Sequence, residues 1–141
     1  STTHGASLNW ILPTAQMNEM VDKICKIGIS TDDVESAVRF YTETLDLEVI
    51  ERFEIQDDDD YVFMKAGDVI LELMPAKSTG QPPGFHHISF VVNDIEKETK
   101  KLIEKGATIR KGPIDTGDSS IHFTAFEGPD NLNLQLFERR S

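Results

Sequence analysis

The sequence contains one cysteine, few basic residues and no long apolar run. Cys25 has no partner for a disulfide within the chain, which favours a reducing, cytoplasmic location. There are 14 Lys and Arg residues against 25 Asp and Glu residues, and the net charge of -11 argues against binding to the phosphates of nucleic acid. Because a membrane-spanning helix needs roughly 18 consecutive apolar residues, no contact with a membrane is expected.

The composition is that of one globular domain, with 141 residues of which 38% are apolar and 28% charged. Residues 1–23 differ in pattern from the rest and are interpreted as an N-terminal extension. Their stretch STTHGASLNWILPTAQ has neither a basic start nor a continuous apolar core, so it is not typical of a secretory signal. The domain itself is predicted to cover residues 24–138.

An internal repeat organises this domain. KIGISTDDVE at 26–35 and HISFVVNDIE at 87–96 both read as a short strand that leads into a helix. In each, a short polar residue precedes a glutamate by three positions, as in a capped helix start: Asp32 with Glu35, and Asn93 with Glu96. Gly106 is a plausible end for the second helix.

Both predicted helices are amphipathic, which indicates that each packs one face on a sheet. The apolar stripes are Val34, Ala37, Val38, Tyr41 and Leu45 in the first helix, and Ile95, Thr99, Leu102 and Ile103 in the second.

Three strand-like runs follow each helix: LEVIERFEI, YVFMKA and VILELM, then ATIRKG, IHFTAF and LNLQLFE. The pattern βαβββ therefore occurs twice. We predict a first module at residues 24–76, a linker at 77–84 and a second module at 85–138, since KSTGQPPG is rich in turn residues.

Alternation along the strands predicts two different sheet faces. One face is bulky and apolar and should pack under the helices. The other face carries small, polar and aromatic residues together, which is typical of a sheet face that meets water or lines a cavity. Its predicted members include Lys26, Gly28, Ser30, Ile70, Glu72, Met74, His87, Ser89, Ser120, His122, Thr124, Asn133, Gln135 and Phe137. His86 is expected under the helix or at the frayed strand end.

Together these features resemble the vicinal oxygen chelate superfamily, which includes glyoxalase I, methylmalonyl-CoA epimerase, extradiol dioxygenases and bleomycin resistance proteins. The resemblance is carried by KIGISTDDVESAVRFYTETLDLEV, VILELM, GFHHISFVVNDIE and GPDNLNLQLFE. It implies an α+β fold in which two βαβββ modules form a curved, barrel-like mixed sheet with helices outside. It also implies a small-molecule ligand and a homodimer.

The resemblance implies four metal-ligand positions, which in this sequence are Lys26, Glu72, His87 and Gln135. Glu72 and His87 are common ligand types, whereas Gln135 replaces the usual glutamate and Lys26 replaces histidine or glutamine. We expect the four side chains to converge.

Lys26 leaves two alternatives open. A protonated lysine offers no lone pair and repels a cation, so its ammonium can replace the metal and pair with Glu72. Alternatively, Glu72, His87 and Gln135 bind one divalent ion (zinc, nickel, cobalt or manganese) while Lys26 turns away. The metal-free arrangement is favoured.

The resemblance favours an enzyme, a lyase or isomerase of the glyoxalase or epimerase type. Glu72 would act as acid or base beside a carbonyl, and Lys26 or a metal would hold the enediolate. The alternative is a metal-free protein of the bleomycin resistance type that binds a small molecule or antibiotic. Pocket-lining candidates are Tyr61, Phe63, His122, Thr124 and Phe137.

Overall fold

The structure is a computed structural model that describes residues 20–54, 60–115 and 120–140. Its chain divides into two compact units, one containing Lys26–His86 and the other containing residues 20–25 together with the described part of His87–Ser141. Most of the predicted N-terminal extension, and the aspartates at 57–59, lie outside the described residues.

The elements follow the predicted order of βαβββ twice. The strands are β1 Lys23–Thr31, β2 Glu48–Phe53, β3 Tyr61–Ala66, β4 Val69–Pro75, β5 Gly84–Val91, β6 Ile109–Asp115, β7 Ile121–Glu127 and β8 Asn133–Arg139. The helices are α1 Val34–Leu45, a single turn α2 Ala76–Thr79, and α3 Ile95–Glu104, with a 3-10 turn at Pro129–Asn131. In the described part of the chain, no helix has the length and apolar character needed to span a membrane.

In the first unit the strand order is β2-β3-β4-β1, with β1 parallel to β4 and the other pairs antiparallel. Helix α1 packs on one face of this sheet. Its buried core consists of Val34 and Val38 from the helix with Val62, Met64 and Leu73 from the strands. The residues that alternate with these strand positions, Glu72 among them, therefore lie on the other face.

The second unit repeats this arrangement with the order β5-β8-β7-β6, and β5 is parallel to β8. Helix α3 supplies Ile95 and Leu102 to a core with Val92, Phe126 and Leu136, and Met20 and Val21 pack against it. The backbone N–H of Asp22 donates to Val91 O at 3.1 Å, which fixes the segment before β1 to the second unit. The predicted α+β fold with two βαβββ modules is confirmed.

Both helices begin one residue later than predicted. Asp33, not Asp32, accepts a hydrogen bond from Ser36 N at 3.0 Å, and Asp94, not Asn93, accepts one from Lys97 N at 3.2 Å. The glutamates have another role, since they form ion pairs with arginines: Glu35 with Arg52, and Glu96 with Arg140.

The predicted apolar stripes are too long at their C-terminal ends. Leu45 is 55% exposed and Ile103 is 58% exposed, and both lie in the last turn of their helices. Gly106 has φ +89° just after the second helix, as expected for a helix stop. Leu132, predicted to pack, is also exposed beside the 3-10 turn.

The predicted faces of β7 are reversed in the structure. Thr124 is fully buried, and its Oγ1 lies 2.8 Å from Thr99 Oγ1 on α3. Phe126, two residues further along the strand, belongs to the core under the same helix. Thr124 and His122 therefore lie on the helix side, and Phe123 lies on the opposite side next to Phe137 of β8.

Candidate functional site

A buried ion pair lies on the helix-free face of the first unit. Lys26 Nζ donates to Glu72 Oε1 at 2.9 Å, and the two side chains are only 3% and 9% exposed. The parallel register of β1 and β4 places Lys26 across from Ile70 and Gly28 across from Glu72, so the two charged residues are diagonal neighbours on one face. An ion pair this well buried is costly to desolvate, and it therefore points to a site rather than to simple stabilisation.

An aromatic wall flanks this pair. Phe63 lies across from Glu72 in the register of β3 and β4, and Lys26 Nζ is 5.9 Å from the centre of its ring. Phe53 meets Phe63 edge-on, with 4.8 Å between the ring centres. The Lys26 ammonium thus lies between a carboxylate and the face of an aromatic ring, both of which favour its charge. Tyr61, also predicted to line the pocket, shares a strand face with Phe63.

His86 is a neighbour of the pair that the sequence pattern did not predict. Burial lowers the pKa of its imidazole below the ordinary value of 6.5, while the charge of Glu72 raises the pKa and that of Lys26 lowers it. The side chain is half-buried at the start of β5. The sequence pattern predicts that His86 lies under the helix or at the frayed strand end. It is the third residue of β5, after the exposed Gly84 and Phe85, and the charges of Lys26 and Glu72 act on its imidazole.

The other two predicted ligand residues belong to the second unit. His87 is buried within β5. Ser89 Oγ donates to Gln135 Oε1 at 3.2 Å, as their paired positions on β5 and β8 require. The structure thus brings Lys26 to Glu72 in one unit and Ser89 to Gln135 in the other, and convergence of all four predicted ligands remains a prediction.

The two pocket candidates from β7 do not fit the predicted role. The Thr124 hydroxyl forms a hydrogen bond with the Thr99 hydroxyl on helix α3. His122 Nε2 lies 3.8 Å from Asp115 Oδ2 and 3.4 Å from Arg140 Nη1, within a group of charges beside the N-terminus of that helix. Glu138 belongs to the same group, since it accepts a hydrogen bond from Ile95 N at 3.1 Å. Both side chains are on the helix side because the strand faces are reversed.

The first unit's two ligand positions do not suit a divalent metal. The Lys26 ammonium donates directly to the Glu72 oxygen that a metal would need, and it has no lone pair to offer in return. Among the described residues, no group of three or more His, Cys, Asp and Glu side chains is placed to hold a metal ion.

Most of the chain matches the model of a known protein family. The Glyoxalase/Bleomycin resistance protein/Dioxygenase superfamily matches residues 23–136. The chain belongs to this superfamily. Members often bind a divalent metal, so the lysine beside Glu72 is a departure for this member rather than a rule for the family.

Its curated relatives carry no assigned activity. The chain is 21% identical over 128 residues to the uncharacterised protein YraH of Bacillus subtilis (strain 168), covering 82% of this chain and 98% of YraH. It is 25% identical over 126 residues to the uncharacterised protein YwbC of the same organism, covering 85% of this chain and all of YwbC.

Solved structures with the same fold include epimerases. A hypothetical protein from Bacillus halodurans C-125 superposes with a TM-score of 0.73 at 20% identity, covering 84% of this chain and 95% of that one. Methylmalonyl-CoA epimerase from Mycobacterium tuberculosis superposes with a TM-score of 0.69 at 18% identity, covering 90% and 95%. At these identities the similarity establishes the fold alone.

Because the Lys26–Glu72 ion pair is buried, we expect the free energy of unfolding to depend strongly on both residues. Lys26→Met leaves the Glu72 carboxylate without its close cation, and we expect a loss of about 3 kcal/mol in the free energy of unfolding. The double variant with Glu72→Leu should lose less than the sum of the single variants, since it leaves no unpaired charge. Denaturant titration measures all three.

Arg52→Met is the matched control for this cycle. Its ion pair with Glu35 has a similar distance, 2.8 Å, but both side chains are well exposed. We expect a loss below about 1 kcal/mol. Equal losses from Lys26→Met and Arg52→Met would contradict the importance of burial.

The partly buried His86 side chain should make the stability of the protein depend on pH. Because burial lowers the pKa of folded His86 below its ordinary 6.5, the folded state resists protonation that the unfolded state accepts. Stability should therefore decrease as pH falls below about 6.5 and level off below the folded pKa. His86→Asn should flatten this part of the stability curve.

The pKa of His86 also tests its electrostatic interaction with Lys26 and Glu72. In proton NMR titrations, Lys26→Met should raise the pKa of His86 and Glu72→Gln should lower it, since each removes one of the two opposing charges. A His86 pKa that is unchanged by both substitutions would show that the imidazole does not sense the pair.

Proposed function

We propose that this protein is a small-molecule isomerase or lyase in which a lysine–glutamate pair, without a metal, supports proton transfer at a carbon next to a carbonyl. The observation that carries the proposal is the Lys26–Glu72 contact of 2.9 Å, buried on the helix-free sheet face. Members of the superfamily often bind a divalent metal, and one of the positions that the resemblance assigns to a metal ligand is occupied in this chain by the Lys26 cation.

The two residues have complementary roles in this reaction. The Glu72 carboxylate takes the proton from the carbon beside the carbonyl, and the electron pair of the C–H bond moves to form the enolate. The negative charge then lies on the carbonyl oxygen, where the Lys26 ammonium stabilises it. Delivery of a proton from solvent to the opposite face of the enolate completes an isomerisation, and Glu72 then releases the proton that it took.

The aromatic wall supports this chemistry. Phe63 and Phe53 bring apolar surface close to the pair, and a low local dielectric strengthens the attraction between the ammonium and a developing oxyanion. The 2.9 Å contact with Glu72 orients the Lys26 ammonium in advance, so little reorganisation is needed when the charge forms.

The structural relatives suggest which compounds to test first. One methylmalonyl-CoA epimerase, 20% identical with a TM-score of 0.72 and covering 86% of this chain and 99% of that one, was solved in complex with methylmalonyl-CoA and NH4+. An ammonium ion and the Lys26 side chain carry the same kind of charged group. An acyl thioester with an acidic C–H is therefore the first substrate class for this protein.

A second candidate function is binding without turnover. The observation that favours it is the Phe53–Phe63 contact beside a buried cation, since aromatic rings next to a fixed charge hold flat anionic ligands without further chemistry. Such a protein would sequester its ligand, as do bleomycin resistance proteins in the same superfamily.

Proton exchange separates these two functions. In deuterated water, the protein should speed deuterium incorporation at the reacting carbon of methylmalonyl-CoA, measured by NMR against a protein-free sample. Lys26→Met and Glu72→Gln should each reduce the protein-dependent rate by about 100-fold or more, since they remove the charge stabilisation and the base.

Arg52→Met should keep the wild-type exchange rate and serves as the control for a surface charge change. Exchange that survives both site substitutions would rule out the proposed roles. Ligand-dependent thermal stabilisation without any exchange, over a panel of acyl thioesters, would favour the binding function.

The metal-free proposal predicts a gain of metal affinity from one substitution. Lys26→His replaces a cation by an imidazole beside Glu72, which removes the repulsion and adds a donor. We expect a higher affinity for zinc or nickel by titration calorimetry than in the wild type. Lys65→His, at an exposed position of β3, is the matched control and should have no such effect.

The rival hypothesis, a metal held by Glu72, His87 and Gln135, makes the opposite prediction. Under that hypothesis the wild-type protein would purify with nearly one equivalent of metal and would lose thermal stability on addition of a chelator. Such a result would contradict the proposal that the Lys26 ammonium takes the place of the metal.

A further inference from the structure

The segment between β4 and β5, residues 76–83, is attached to β1 by side-chain hydrogen bonds, and we call it the strap. Thr79 Oγ1 lies 3.0 Å from Ser30 Oγ, and Ser30 Oγ donates to Gln81 O at 3.2 Å. These contacts place the strap over the Ser30 side chain, which is only 1% exposed.

The position of Ser30 relates the strap to the ion pair. Ser30 follows Lys26 by four residues, and the register of β1 and β4 has no shift, so both side chains lie on the helix-free face. Because Gly28 lies across from Glu72, Lys26 and Ser30 are the two diagonal neighbours of Glu72 on β1. The strap therefore covers a strand position next to the candidate site.

The strap is held less firmly than the strands that it joins. None of residues 76–83 is buried, whereas Leu73–Pro75 at the end of β4 are all buried. Ser78 Oγ is a buried atom that has no hydrogen-bond partner among the described residues, which makes the closed arrangement less favourable. A segment with so little buried surface opens at a much lower free energy than the whole domain unfolds.

The buried ion pair needs such an opening if it is to meet a ligand. Lys26 is 3% exposed and Glu72 is 7% exposed, so a small molecule does not reach both in the closed arrangement. We propose that the strap is a gate, which opens locally when Thr79 and Gln81 separate from Ser30 and thereby gives small molecules access to the Lys26–Glu72 pair. The gate concerns access alone, and it serves turnover of a ligand and binding of a ligand equally.

Hydrogen exchange measures the opening of the strap. The backbone N–H of Gly80 donates to Ala76 O at 3.0 Å, and Ser30→Ala leaves both of these groups in place. In the wild type, NMR should show that the Gly80 amide exchanges faster than the amides of β1, at a rate that low denaturant concentrations do not change. Ser30→Ala should speed this exchange at least about fivefold, because it removes the hydroxyl that holds the strap.

Methylation of the Lys26 amine measures access to the pair. Formaldehyde with cyanoborohydride, followed by mass spectrometry, should modify Lys26 slowly in the wild type. Ser30→Ala and Thr79→Val remove the contact from opposite sides, and each should speed this methylation at least about fivefold. Lys65, exposed on β3, is the internal reference and should react equally in all variants. Thr44→Val, which removes an exposed hydroxyl from α1, is the control and should change neither rate.

Either of two results would overturn the inference. If the Gly80 amide exchanges only with the denaturant dependence of the β1 amides, then the strap does not open locally. If Gly80 exchange becomes faster in Ser30→Ala while the methylation rate of Lys26 is unchanged in both variants, then the strap opens without giving access to the pair.

Neither measurement uses a substrate, so the result is separate from that of the proposed reaction. If the strap opens as expected but methylmalonyl-CoA gains no deuterium, then the gate stands and the reaction is wrong. If deuterium is incorporated but neither substitution changes the methylation of Lys26, then the reaction stands and the gate is wrong.

Discussion

The buried contact between Lys26 and Glu72 is the interaction on which the proposed chemistry of this protein depends. An isolated charge would be too costly on a buried sheet face, so each residue is tolerated there because of the other. The contact in turn requires that β1 lie parallel to β4 in one register, since a shift by one residue would turn one side chain toward helix α1. The packing of Val38, Leu73 and their neighbours under that helix fixes the register.

Much of the fold was predictable from the sequence because it is repeated. Two similar strand and helix starts, each followed by three strand-like runs, specify the βαβββ modules with little ambiguity. Strand alternation also placed Glu72 opposite a packed face of leucines, and the charge argument about Lys26 predicted their pairing. That pairing is present. Each of these predictions depends on local periodicity, which a single sequence contains.

The predictions that failed depend on contacts between distant residues. In IHFTAFE, apolar residues occur at both odd and even positions, so alternation alone does not show which face of β7 packs under the helix. The contact of Thr124 with the Thr99 hydroxyl on α3 shows which face that is. At the helix starts, two adjacent short polar residues were available each time, and the backbone placed the second of them at the cap. The influence of Lys26 and Glu72 on His86 was not predicted, because it depends on charges carried by β1 and β4.

The parallel strand pairs have a consequence for folding. Lys26 and Glu72 are 46 residues apart in the chain, as are Ser89 and Gln135. The antiparallel pairs between them close through short turns, whereas the pairing of β1 with β4 closes a much longer loop and has the larger entropic cost. We therefore expect both the Lys26–Glu72 contact and the Ser89–Gln135 contact to form late in the folding of their units.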